Sequence, residues 1–205
     1  MIKLIAMFTM LVDHIGAVFF PNALWLRVVG RIAFPLFAWG IAMGYRYTRN
    51  WKLYAIRLLA LGFVTQIPYT LLFENDNWNV CFTLLAGLLV LKLLHMPKRY
   101  LGMLASLVVL ALVHLLKFEY GIYGVITILI FYYCRDDGKM PLYQGIISLV
   151  GLLVYRYHEI QLFSLVSSFL VRGVERDDLR LNRWLQYGFY PIHIILLYIL
   201  KGIIT

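Results

Sequence analysis

Nine mostly apolar stretches run along the chain, at about 3–20, 24–46, 52–73, 79–95, 99–117, 120–134, 141–156, 159–172 and 184–203, separated by short polar or Pro/Gly breaks. About 20 helical residues cross a bilayer's hydrocarbon core, so the pattern predicts an all-α integral membrane protein, a bundle of about nine transmembrane helices (eight to ten). The sixth, seventh and eighth stretches are short. LFSLVSSFLV, within the eighth, is the best candidate for a tilted, re-entrant or interfacial segment. Outer-membrane barrels show short alternating segments instead of such unbroken runs. Without a long linker, low-complexity tract or internal repeat, residues 1–205 read as a single polytopic transmembrane domain.

Composition agrees: 62% of residues are hydrophobic and 14% charged, with a mean hydropathy of +0.80. The formal net charge of +9 does not point to nucleic acid, because the basic residues are dispersed over short loops. Loops after even-numbered stretches carry RYTRNWK, HMPKR, RDDGK and RGVERDDLRLNR, whereas the alternate loops carry PNA, ENDNWN, KFEYG and RYHEIQ. The positive-inside rule then places the N-terminus in the cytoplasm, in a membrane of the bacterial inner type. Cys81 and Cys134 show no ligand spacing, and no His or acidic pair suggests a metal site. The first stretch contains Asp13 and His14 and has no small-residue cleavage site, so it is expected to be retained.

Ionisable groups inside apolar spans are costly and mark functional sites. Asp13 lies about 15 Å along the first helix, near the midplane, and Arg31 about 10 Å down the second. Arg27 and Arg31 share a face at one-turn spacing, so Arg31 should meet Asp13 in depth. An Asp–Arg lock between two helices is the simpler reading. The adjacent His14 and the second arginine favour an assembled site. Pro35 frees a backbone carbonyl and can kink the helix around a cavity.

Further polar groups occur in TQIPY (Gln66, Tyr69), NVCFT (Asn79) and FYPIH (Tyr190, His193). Taken singly these suit packing, except His193, whose basicity suits proton transfer. His95, His114 and His158 read as surface groups. In GYRYTRNWKLYAIR, Arg46, Arg49, Lys52 and Arg57 stand among Tyr45, Tyr47 and Trp51. That composition fits positive-inside anchoring or a mouth gripping a nucleotide-bearing cofactor.

The strings KLIAMFTMLVDHIG, LRVVGRIAFPLFAWGIAMGYRYTRN, RLLALGFVTQIPYTLL, NVCFTLLAGLL, YGIYGV and FYPIH resemble, in the same order, the TraX family, named for the protein that acetylates the N-terminus of F pilin. The resemblance implies a membrane transferase, similar to a broader set of transmembrane acyltransferases, that takes acetyl from cytoplasmic acetyl-CoA. Asp13 and His14 match the family's DH pair, Arg27 and Arg31 its arginines, and Tyr190, Pro191 and His193 its late string. On this reading His14, oriented by Asp13, is the general base, with Arg31 and His193 also catalytic. Arg27, Arg46, Arg49, Lys52 and Arg57 would hold acetyl-CoA. Gln66, Tyr69, Asn79 and Tyr190 would contact the acceptor, a peptide or small molecule bearing an amine or hydroxyl. Membrane lipids are the other partners. The alternative is a small proton-coupled transporter or exporter using Asp13, His14 and Arg31 as a relay or anion site.

Overall fold

Runs of Leu, Ile, Val and Phe with few turn residues fold here entirely as helix, and the breaks fall where Pro, Gly, Asn and charge interrupt them. A computed structural model describes residues 1–155, 158–172, 174 and 182–204. Most of the charged loop RGVERDDLRLNR, with Arg176 and Arg180, lies outside the described residues, as does Arg156. The helices are α1 (Ile2–Phe19), α2 (Leu24–Gly30), α3 (Ala33–Tyr47), α4 (Trp51–Phe73), α5 (Val80–Leu94), α6 (Arg99–Leu115), α7 (Gly121–Tyr133), α8 (Met140–Tyr155), α9 (Val166–Leu170) and α10 (Arg183–Ile204). A 3₁₀ segment, Glu159–Leu165, leads into α9.

The chain is a multi-pass membrane protein. Among the described residues four helical segments are long and apolar enough to cross a bilayer: Ile2–Phe19, Leu24–Tyr47, Trp51–Phe73 and Leu185–Ile204. Val80–Leu94, Arg99–Leu115, Gly121–Tyr133, Met140–Leu153 and Glu159–Leu170 are apolar but shorter. The outer surface carries exposed Ile67, Leu107, Val108 and Leu153, suited to lipid. Trp39, Phe34, Leu88, Ile128 and Phe131 fill the interior.

Two features of the helix layout bear on function, the first a departure from the sequence pattern and the second in line with it. The stretch 24–46 is not one continuous helix; it breaks at Arg31 and Ile32 into α2 and α3. Pro35 has no N–H to offer the carbonyl four residues back, which is that of Arg31, so regular pairing lapses there. The LFSLVSSFLV region is a tight 3₁₀ turn followed by one short helix rather than a regular span.

The ends of the bundle differ in charge. Lys3 donates to Gln186 Oε1 at 2.8 Å, joining the starts of α1 and α10. Lys201 pairs with Glu74 at 2.5 Å, joining the ends of α10 and α4. Helices α1, α4 and α10 therefore run the same way. Arg46, Arg49, Arg57 and Arg135 cluster at the first end, called the basic end below. The loops 74–79 and 116–120 close the opposite end.

Candidate functional site

Close approach of α1 and α2 builds the first part of the site. Gly30 lies against the Asp13 side chain, and any Cβ there would overlap the carboxylate. Asp13 Oδ2 accepts from Arg27 Nη1 at 2.8 Å and Asp13 Oδ1 from Arg31 Nη2 at 3.1 Å. Arg27 Nη1 also reaches the Asp13 carbonyl at 3.0 Å. One carboxylate is thus shared by two guanidinium groups, leaving the cluster with a net positive charge. Arg31 Nη1 points toward Gln161 Oε1 at 3.4 Å. Behind it, the Tyr123 hydroxyl receives N–H donors from Gln161 at 3.0 Å and Gln144 at 3.2 Å. This buried network between α7, α8 and the 3₁₀ segment fixes Gln161.

His14 is not oriented by Asp13, whose oxygens are committed to the arginines. It is oriented by His193: His14 Nδ1 and His193 Nε2 are 2.8 Å apart, and both residues are buried. His193 Nδ1 lies 2.7 Å from the Phe189 carbonyl, which can only accept, so that nitrogen carries a proton. In a neutral pair His193 Nε2 is then an acceptor and His14 Nδ1 the donor. His14 Nε2 is left as the free lone pair. Phe189 stacks on the far side of His193 with centroids 4.4 Å apart, and Phe73 meets the His14 ring edge-on at 5.0 Å.

His14 opens into a polar cavity of about 410 Å³ at the end opposite the basic end. Asp13, Arg27 and Arg31 line it on one side and Tyr69, Asn75, Asn77, Glu119 and Tyr120 on the other, with His158 and Gln161 above. Glu119 is brought inward by a tight turn in which Lys117 (φ 53), Tyr120 (φ 61) and Gly121 (φ 48) all adopt left-handed backbone. The turn is pinned by Glu119 N–H to Trp78 O at 2.9 Å and by the Thr83 hydroxyl donating to the Glu119 carbonyl. Burial and the Asp13 charge push the Glu119 carboxyl up to about 7, while Arg31, the Tyr69 hydroxyl and the Val80 N–H hold it down.

A second, narrow cavity of about 90 Å³ runs from Lys3 and Tyr54 past Leu36, Cys81 and Leu84 to Phe189 and Tyr190. It shares Lys3, Gly40, Tyr54, Gln186 and Tyr187 with a wider cavity of about 500 Å³ at the basic end, which Tyr47, Arg49 and Arg57 also line. Tyr190 is buried, and its hydroxyl has no hydrogen-bond partner among the described residues. One turn later comes His193. Tyr190 thus lines the narrow cavity, while His193 pairs with His14 of the polar cavity.

The family profile described as TraX protein matches residues 1–201. The chain belongs to the TraX family. A probable fimbrial assembly protein FimC, serogroup H1, of Dichelobacter nodosus is 27% identical over 226 residues, 96% of this chain and 92% of that protein. An uncharacterized protein of Rickettsia prowazekii (strain Madrid E) is 34% identical over 88 residues, 42% of this chain and 34% of its own length. No solved structure matches the chain.

In this TraX-family fold the residues singled out from sequence divide among three places. Asp13, His14, Arg31 and Tyr69 line the polar cavity, with His193 directly behind His14. Arg27 joins them there, far from the basic-end cations with which it was grouped. Arg49 and Arg57 line the basic-end cavity, whereas Lys52 is exposed and Arg46 approaches Asp136 at 3.7 Å. Trp51 lies under Lys92 rather than open to a base. Gln66 and Asn79 line neither of the two inner cavities. Gln66 Oε1 accepts from Asn79 Nδ2 at 2.9 Å, and Asn79 Oδ1 caps α5 by accepting from Cys81 N–H at 3.0 Å. His158, read as a surface group, is exposed at the cavity's edge. Gln161 escaped the sequence reading, as did Glu119 and Tyr120. The one signal for the last two is an acid between two aromatics, FEY, in an otherwise apolar and basic connection.

Proposed function

We propose that this chain is an acetyltransferase: acetyl-CoA enters at the basic end, and its acetyl group passes to an amine or hydroxyl of an acceptor held in the polar cavity. The observation that carries the reading is the His14–His193 pair, which leaves one unencumbered imidazole nitrogen facing that cavity. Arg49 and Arg57 suit CoA phosphates, and the narrow apolar cavity suits a slender thioester arm but not a nucleotide. The family's association with pilin acetylation, and the fimbrial assembly role in a relative's name, support the N-terminus of a pilin-like peptide as acceptor.

In the transfer, His14 Nε2 takes the proton of the attacking group while the acceptor's lone pair adds to the thioester carbonyl carbon. The unpartnered Tyr190 hydroxyl is a ready donor to the oxyanion, and the excess positive charge of Arg27 and Arg31 favours it electrostatically. Collapse breaks the C–S bond, and His14 returns its proton to the CoA thiolate. His193 keeps the His14 ring in the required tautomer throughout.

Purified protein in nanodiscs, given radiolabelled acetyl-CoA and candidate peptides, should label the peptide, with His14→Ala lowering the rate about 10²–10⁴-fold. Unchanged transfer by His14→Ala removes the catalytic assignment. Substrate counterflow in liposomes without any acyl transfer replaces the enzyme with a transporter.

A further inference from the structure

The polar cavity holds two carboxyl groups in unlike surroundings. Asp13 is bound by two guanidinium groups and serves to place them. Glu119, half-buried on the facing wall, has no Lys or Arg at ion-pair distance among the described residues. The Tyr69 hydroxyl and the Val80 N–H are instead the polar groups that hold its carboxylate form. Two non-glycine residues in left-handed backbone flank it, an arrangement that costs free energy and persists only where the surroundings enforce it.

Resting on the acetyltransferase reading, we propose that Glu119 is the acceptor-side catalytic group: it receives the acceptor's ammonium in the polar cavity and takes its first proton. A primary amine arrives at neutral pH as R–NH₃⁺, which has no lone pair with which to attack. Transfer of one proton to the Glu119 carboxylate gives R–NH₂ and a neutral carboxylic acid. The amine nitrogen then bonds to the acetyl carbon as the C–S bond breaks. Its second proton passes through His14 to the CoA thiolate, and Glu119 later releases the first to water. The products are R–NH–acetyl, CoA–SH and one free proton.

The assignment also separates amines by basicity. A carboxyl near 7 lies about one pH unit below a chain α-amino group, at about 7.7–8.0, but more than three below a lysine side chain, at about 10.4. An N-terminal amine can therefore surrender its proton to Glu119 far more readily than a lysine can. The groups that act electrostatically on Glu119 or feel its charge are Asp13 from α1, Arg31 from the α2–α3 break, Tyr69 from α4, Cys81 from α5, Tyr120 beside it and Tyr190 from α10. His14 and Arg27 from α1 and α2, and His158 before the 3₁₀ segment, line the same cavity.

The test compares full-length wild type, Glu119→Gln and Glu119→Asp in nanodiscs. Each is given acetyl-CoA and two forms of one peptide, with either an ordinary α-amine or a weakly basic aminooxy group at the N-terminus. Expected for Glu119→Gln is acetyl-CoA affinity within twofold of wild type, at least a tenfold loss of kcat/KM on the amine peptide at pH 7, and near-wild-type transfer to the aminooxy peptide, which needs no prior deprotonation. The wild-type acid limb near pH 7 should vanish in that variant, and Glu119→Asp should restore part of the amine activity. Equal activity of Glu119→Gln and wild type on the amine, or an equal loss on both peptides, overturns the assignment. Transfer to neither peptide by wild type overturns the acetyltransferase reading itself, a result distinguishable from failure of Glu119 alone.

Discussion

At the scale of single residues, the site depends on which partner each ionisable group has taken. Asp13 holds Arg27 and Arg31, so Asp13→Ala leaves two guanidinium groups without their carboxylate in a buried setting. Loss of one partner of a buried pair costs about 3–5 kcal/mol, and this variant should show strongly reduced folded yield in detergent by size-exclusion chromatography. His193→Ala, by contrast, removes only the group that fixes the His14 tautomer. It should lower kcat about 10-fold to 100-fold while leaving KM for acetyl-CoA nearly unchanged. Glu119 gives a sign-definite effect of pH on stability. Its folded-state pKa of about 7 lies above the ordinary 4.5, so between these values the folded chain binds more protons than the unfolded one and stability falls as pH rises. Glu119→Gln lacks this loss, and its melting temperature relative to wild type should rise from pH 5 to pH 8. Asp13 and the arginines were legible in the sequence because ions are rare in apolar runs. Gln66 and Asn79, which taken singly suit packing, do hold each other and cap α5; an acceptor-contacting amide would be spelled no differently.

At the scale of elements, the α1–α2 contact and the α2–α3 break decide the geometry. Gly30 admits the Asp13 side chain against the α2 backbone. Gly30→Ala forces the helices apart, at a cost of about 1–3 kcal/mol, and should both lower thermal stability and weaken transfer more than Gly40→Ala, where a Cβ meets nothing within 4 Å. Helix positions followed hydropathy closely because lipid-facing and core-facing residues are both apolar and the runs are long. The break at Arg31 was signalled only by Pro35. Glu119 was not legible as a site residue, since its burial is produced by the fold of residues 117–121 against Trp78 and Thr83, and no local pattern encodes that docking.

At the scale of the molecule, opposite ends of one bundle present different chemistry. The basic end offers Arg49 and Arg57 over a narrow apolar passage, and the far end offers the polar cavity. Charge reversal at both arginines should raise KM for acetyl-CoA at least tenfold, with little change in kcat, and should flatten the salt dependence of KM. The alternation of basic and non-basic loops made this polarity visible from composition alone, but not that His193 would pair with His14 beside the polar cavity. Beyond Lys3, the described residues lining the apolar passage include no carboxylate and no further Lys or Arg. Moving one elementary charge through a membrane potential costs about 2.3 kcal/mol per 100 mV, whereas an acetyl group carries none. Turnover through such an insulated wall is electrically silent, so an energised vesicle containing the protein should keep its voltage while acylation proceeds inside the bundle.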